Sequence, residues 1–163
     1  MEPILTLTSR KGPKPETLMR LPHSQLSQHG PDKVIDKLHA WCFSLPNVNE
    51  ENSGISVPGS RALILADAVP GNDAAFMIGR EFAHIHPKPD NGSMHIQMHP
   101  DDAQATIDAG WGEDHYLVTQ GVLPKGLIMV YSPRDENELE TVKRIITRSY
   151  EFATGTTPSN SRV

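Results

Sequence analysis

Apolar positions along the chain switch between two periods, and the switches mark its elements. Pro31 is a favourable first helical residue, and Val34, Ile35, Leu38, Trp41, Cys42 and Leu45 follow at helical spacing until Pro46. Asn47–Ser53 reads as a polar loop and Ala62–Ala66 as a short apolar strand. Pro70-Gly71-Asn72-Asp73 signals a turn. Ala75–His86 and Ser93–His99 read as two longer strands. Pro100-Asp101-Asp102 then opens a short helix with acids in its first turn, where the helix dipole favours them, and Gly110 closes it. Tyr116–Thr119 and Leu127–Tyr131 read as further strands.

Pro133 and Asp135 begin the last helix. Asp135 and Glu138 have capping-box spacing, and Leu139, Val142, Ile145, Ile146, Tyr150 and Ala153 form its apolar stripe. This order predicts an α+β fold, a mostly antiparallel sheet with helices packed on one face. The domain is expected over residues 31–155. Residues 1–30, rich in Pro, Ser, Lys and Gln, read as an N-terminal arm with a short strand at Ile4–Thr8, and residues 156–163 as a disordered polar tail.

Two of the expected strands carry histidines in alternation. Residues two apart share a face of a strand, so Phe82, His84 and His86 are expected on one side and Ala83 and Ile85 on the other. In the next strand Met94, Ile96 and Met98 oppose Ser93, His95, Gln97 and His99. Pairing His86 with Ser93 sets His84 against His95, Phe82 against Gln97 and Ile85 against Met94. Apolar then meets apolar on one face and polar meets polar on the other, and a one-residue slip destroys that match. The histidine face is expected to be exposed or to line a cleft.

Charge and cysteine usage narrow the chemistry. A net charge of −5 over 163 residues offers no basic footprint for nucleic acid. The apolar runs are too short to span a bilayer, and Met1–Arg20 lacks a secretory pattern, so a cytoplasmic protein with no membrane partner is expected. Cys42 is the one cysteine, which excludes an internal disulfide and a Cys-based zinc site.

Three readings of the histidine face compete. One is a hydrated sheet face with chance histidines, which at the level of function leaves a non-catalytic module that binds a small molecule or a partner, its histidine face sealed by a homodimer contact or without a cleft. The second is a metal site of His84, His86 and His95, with Zn, Fe or Mn as the ion; Asp90, four residues after His86, suggests a cupin-like arrangement. The third is a metal-free acid–base site, because neutral imidazole can accept a proton from an acidic organic substrate near pH 7. Trp111, Glu113, His115, Tyr131 and Arg134 follow the helix stop or end a strand and could converge on the same pocket. His23, His29 and His39 lie outside the strand pair and receive no role.

Five blocks then come into view in order: Phe82-Ala83-His84-Ile85-His86-Pro87, Gly92-Ser93-Met94-His95-Ile96, Ala109-Gly110-Trp111-Gly112-Glu113-Asp114-His115, Met129-Val130-Tyr131-Ser132-Pro133-Arg134-Asp135-Glu136 and Ser149-Tyr150-Glu151-Phe152-Ala153. Together they resemble the luciferase-like domain of fungal luciferases and small microbial proteins, over roughly Ser53 to Gly155. His99, before Pro100, stands where that family more often has an aliphatic residue. The resemblance implies an oxygenase in which O₂ is the co-substrate, added to a hydroxylated pyrone or related enol or phenol, with no added cofactor expected. It implies His84 or His95 as base and Arg134 or His86 as the group that holds the anion. His86, Trp111, His115, Tyr131, Phe82 and Gln97 are the expected substrate contacts.

Overall fold

A strand that buries one face needs neighbours to satisfy its backbone, and the expected strands find them in a single sheet. The computed structural model describes residues 4–155; the expected tail, residues 156–163, lies outside them. In chain order the elements are a small ribbon of Thr17–Leu18 (β1) and Ser24–Gln25 (β2), helix Asp32–Cys42 (α1), Val48–Asn52 (β3), Arg61–Leu65 (β4), a single 3₁₀ turn Asp73–Ala75, Glu81–Ile85 (β5), Met94–Gln97 (β6), Pro100–Asp108 (α2), Gly112–Asp114 (β7), Tyr116–Thr119 (α3), Leu127–Val130 (β8) and Glu136–Ala153 (α4). Strands β3 to β8 form a six-stranded sheet in the order β3-β4-β5-β6-β8-β7, antiparallel throughout. This is an α+β fold.

One face of the sheet carries the core. Leu63, Leu65, Ala83, Ile85, Met94, Ile96, Ile128 and Val130 pack there against Val34, Leu38 and Cys42 of α1 and Leu139, Val142, Ile145 and Ile146 of α4. Helix α4 starts as its sequence signals: the Asp135 carboxylate accepts from the Glu138 amide at 2.8 Å. The β5–β6 pairing has the register that alternation predicts, with Ala83 opposite Ile96, His84 opposite His95 and Ile85 opposite Met94. The connection closes with the His86 amide donating to the Ser93 carbonyl and the Gly92 amide to the His86 carbonyl. Gly92 is required there, because φ is +102° and a Cβ would run into the Ile35 side chain at 2.5 Å.

Elsewhere tertiary context overrides the local pattern. The polar stretch Asn47–Ser53 contains an edge strand, β3; with one neighbour and mostly exposed side chains it tolerates Asn and Glu, which also discourage edge-to-edge pairing. Tyr116–Thr119 is a helical turn, because the His115 ring accepts the Leu117 amide and caps it. Ala75–His86 is strand only from Glu81 onward. Ile4–Thr8 is not a strand.

The β4–β5 pairing shifts register between Leu63 and Ile64: Leu63 pairs with Ala83, yet Ile64 pairs with Glu81. Phe82 is the extra residue of this bulge, and the faces exchange there. Phe82 is fully buried in the apolar core with its ring 6.3 Å from that of Tyr150, and Glu81 takes the place on the histidine side. The expectation that Phe82 shares the face of His84 is therefore corrected.

The histidine face is not open. The arm starts against α2 and α4, where Leu5 enters the core, crosses the histidine face with His23, and is tied down at intervals. The Leu5 amide donates to Asp102 at 2.7 Å, the Arg10 amide to the Ala109 carbonyl at 2.9 Å, the Trp111 indole to the Thr8 carbonyl at 2.8 Å and the Gly30 amide to Ser132 Oγ at 2.8 Å. The Gln25 amide oxygen accepts the Ser132 amide at 2.8 Å. Among the described residues no helix is long and apolar enough to cross a membrane.

Candidate active centre

Paired residues on adjacent antiparallel strands project to the same side, so one transverse row of the sheet can be followed from strand to strand. That row runs Ala62 (β4), His84 (β5), His95 (β6), Met129 (β8), Glu113 (β7). His86 extends the β5 side by two residues. The arm adds His23 from above, packed 5.1 Å from the His95 ring. His84, His86, His95 and His23 are 3%, 5%, 5% and 2% exposed, so the centre is sealed from bulk water.

His95 is the junction. Its Nδ1 is 3.1 Å from both His84 Nε2 and His86 Nε2, and its Nε2 is 3.1 Å from His23 Nδ1. Each outer histidine has a carboxylate behind it. His84 Nδ1 is 2.8 Å from Glu81, His23 Nε2 is 2.8 Å from Glu113, and His86 Nδ1 is 2.8 Å from Ser93 Oγ and 3.3 Å from Asp90. Burial pushes all three carboxyls up, but their hydrogen bonds win. His84, Ser53 and the Gly54 amide hold Glu81 down, His86, Ser93 and the Gln25 amide hold Asp90 down, and His23 and Tyr131 bring Glu113 to about 2. Burial lowers His84 despite Glu81, and lowers His95 well below the ordinary value with the other rings adding to the effect.

Hydrogen-bond geometry sets where the protons of neutral rings sit, the Ser93 hydroxyl and His86 both being directed at Asp90. A neutral imidazole has one N–H and one lone pair, and an ionised carboxylate only accepts. The N–H groups of His84 and His86 are therefore at Nδ1 and that of His23 is at Nε2. His23 Nδ1 is then a lone pair, and His95 donates to it from Nε2. What remains is His84 Nε2, His86 Nε2 and His95 Nδ1: three lone pairs directed at one another.

The other expected site residues separate into two groups. Tyr131 donates its phenol to Glu113 at 2.8 Å, and burial with the adjacent carboxylate keeps that phenol protonated. His115 lies against the centre, 4.5 Å from the His95 ring; burial lowers it to about 4, and its Nδ1 is occupied by the Leu117 amide. Trp111, Gln97 and Arg134 have other partners. Trp111 anchors the arm. Gln97 is half-buried beside Gly126 at the end of β6. Arg134, the expected anion holder, is gripped by Glu138 through Nε at 3.0 Å and Nη2 at 2.6 Å, and reaches Gln28 and the Lys11 carbonyl. None of its contacts is to a histidine. Asp90 stands behind His86 rather than beside its Nε2, and one six-stranded sheet replaces the paired sheets of a cupin.

Sequence reasoning missed His23 and Glu81. His23 reaches the cluster across 72 residues of chain, and no local period announces it. Glu81 is brought over by the bulge. Next to the centre, a cavity of about 200 Å³ lies between the arm and β7, lined by Arg10, Lys14, Ile107, Glu113 and Tyr131. Glu113 thus touches both the cavity and the histidines.

Fold and site together define an α+β protein with a buried, carboxylate-backed histidine centre under a strap. Comparison with known proteins finds a matching family model and similar chains. Residues 79–149 match the family model described as the Luciferase domain. The luciferase of Armillaria gallica is 27% identical over 166 residues, covering 91% of this chain and 61% of that protein. The luciferase of Armillaria mellea is 28% identical over 165 residues, with the same coverage, and that of Neonothopanus nambi 31% over 88 residues, or 53% of this chain and 33% of that protein. No solved structure matches. Residues 79–149 are thus similar to the luciferase domain family, and the chain as a whole is similar to the fungal luciferases. It spans about three fifths of the length of the Armillaria relatives, 61%.

Proposed function

We propose that this protein is a small-molecule oxygenase of the luciferase kind, which adds O₂ to an acidic enol, hydroxypyrone or phenol. The observation that carries the reading is the unbroken path from cavity to centre: Glu113 lines the cavity, bonds His23, and His23 bonds the junction ring His95. The cavity suits such a substrate. About 150 Å³ houses a benzene ring, so the 200 Å³ here admits a compact ring. Arg10 and Lys14 supply positive charge for a substrate anion. Arg10 lies 5.3 Å from the centre of the Tyr131 ring, and its Nε is buried without a protein partner.

In this reading the substrate's acidic proton passes to Glu113 and the His23 ring bonded to it, the pair that joins the cavity to the centre. The enolate left behind is electron-rich at carbon. A bond from that carbon to O₂ gives a peroxide, so carbon is oxidised and O₂ reduced without an outside reductant. Removing general acid–base groups typically costs about 10²–10⁴ in rate. Purified protein should therefore consume O₂ with a hydroxypyrone or polyphenol panel, and His95→Ala should lose activity on that order. Equal O₂ uptake by wild type and His95→Ala, or none by wild type with any member of the panel, would refute the reading.

A further inference from the structure

Three lone pairs pointing at one spot repel one another unless something positive lies between them. The rings that carry them cannot turn away, because each opposite nitrogen is held: His84 by Glu81, His86 by Ser93 and Asp90, His95 by His23. The protein also buries more negative than positive charge here. Glu81, Asp90 and Glu113 are 1%, 7% and 5% exposed, and among the described residues the one Lys or Arg within ion-pair distance of any of them is Lys14, at 3.3 Å from Glu113. Three buried carboxylates with one Lys or Arg beside them form an anionic shell behind the rings, which favours a cation at the centre.

We propose that His84 Nε2, His86 Nε2 and His95 Nδ1 are the three protein ligands of one first-row divalent metal ion. The spacing agrees. Metal–imidazole bonds of about 2.0–2.1 Å at tetrahedral angles place ligand nitrogens about 3.3 Å apart; two of the three separations here are 3.1 Å, and the three candidate ligand atoms all lie within 4.8 Å of one another. The surroundings agree as well. A ligating histidine normally gives its other N–H to a carboxylate or comparable acceptor, which fixes the tautomer and raises ring basicity. All three rings have that support, His95 through His23 and then Glu113.

A second grouping, His23 with His95 and His115, also has ring nitrogens within 4.8 Å of one another. It does not serve. His115 Nδ1 accepts the Leu117 amide, so its Nε2 carries the proton, and the facing nitrogens of His23 and His95 are spent on each other. The imidazole-only donor set selects Mn to Zn over Mg and Ca, which prefer oxygen. Three protein ligands, with a coordination position left over, is the pattern of catalytic rather than structural sites. The inference deepens the oxygenase reading and places the ion at the same centre.

The test uses the untagged full chain, stripped with a chelator and titrated with Co²⁺ alone. One Co²⁺ per chain is expected, with the visible ligand-field spectrum of a four- or five-coordinate ion, displaced by Zn²⁺ and indifferent to Mg²⁺. His86→Gln should abolish the spectrum, and Glu81→Gln should keep the stoichiometry but weaken binding about 10–100-fold, the usual effect of removing an outer partner. His39→Gln, at an exposed histidine bonded to Glu50, should change nothing. Where a ligand variant fails to fold, pulsed EPR of the wild-type Cu²⁺ complex decides, three coordinated imidazoles being expected. Absence of stoichiometric binding, fewer than three imidazoles, or binding that survives His86→Gln and disappears in His115→Gln overturns the assignment. No organic substrate enters these measurements. A chain that binds the ion yet consumes no O₂ refutes the oxygenase reading alone, and one that consumes O₂ without metal refutes this inference alone.

Discussion

Asp102→Ala is expected to destabilise the fold by about 3–5 kcal/mol, the usual cost of removing one partner of a buried ion pair. Asp102 is 1% exposed in the first turn of α2. One carboxylate oxygen accepts from Arg148 of α4 at 2.8 Å, and the other from the Leu5 amide of the arm at 2.7 Å. The substitution takes the carboxylate away from a guanidinium that is 8% exposed, and leaves a buried amide without its acceptor. It also cuts the arm's first tie, where Leu5 enters the core beside α4. Urea unfolding checks the size. A loss under about 1 kcal/mol, as for a surface pair, would show that Asp102 does not join arm, α2 and α4 as described.

Phe82→Ala should cost a similar amount, about 3–5 kcal/mol, the range for deleting a buried aromatic ring from a packed core. The ring is fully buried against the layer that holds α4. This variant also reads the bulge. Were Phe82 on the face of His84, as unbroken alternation dictates, the loss would fall on the polar side and disturb the histidines while sparing the core. The prediction is the reverse: a large fall in urea midpoint, with the histidine NMR signals kept in the fraction that stays folded.

The contrast between Phe82 and its neighbours shows what a sequence can carry. Ala83, His84 and Ile85 were legible because strand alternation is local and because Ile96, His95 and Met94 repeat the same pattern on the partner strand. Two matching patterns fix a register. The helices were legible from their apolar stripes and from caps such as Asp135, which lie within a few residues of what they cap. Phe82 was not, since a bulge depends on how β4 meets β5 rather than on the β5 sequence. His23 was not, because it comes from a segment with almost no regular structure, held by bonds to residues such as Asp102 and Ser132 that lie 97 and 102 positions away from their arm partners. Arg134 looked like a site residue for its place at a strand–helix junction, but Glu138, one helical turn on, claims it.

The same reasoning explains why an expected open face proves to be a closed one. Alternation tells which residues share a side of a sheet and is silent on what covers that side. Burial is what gives the histidines their character, since it removes the water that would otherwise satisfy their lone pairs and leaves only the groups named here to do so.

The central claim is that His84, His86 and His95 meet lone pair to lone pair. Long-range proton–nitrogen NMR of the chelator-treated protein reads the tautomer of each ring directly. A proton is expected on Nδ1 of His84 and of His86 and on Nε2 of His95. A proton found on Nδ1 of His95, shared toward the other two rings, would contradict it.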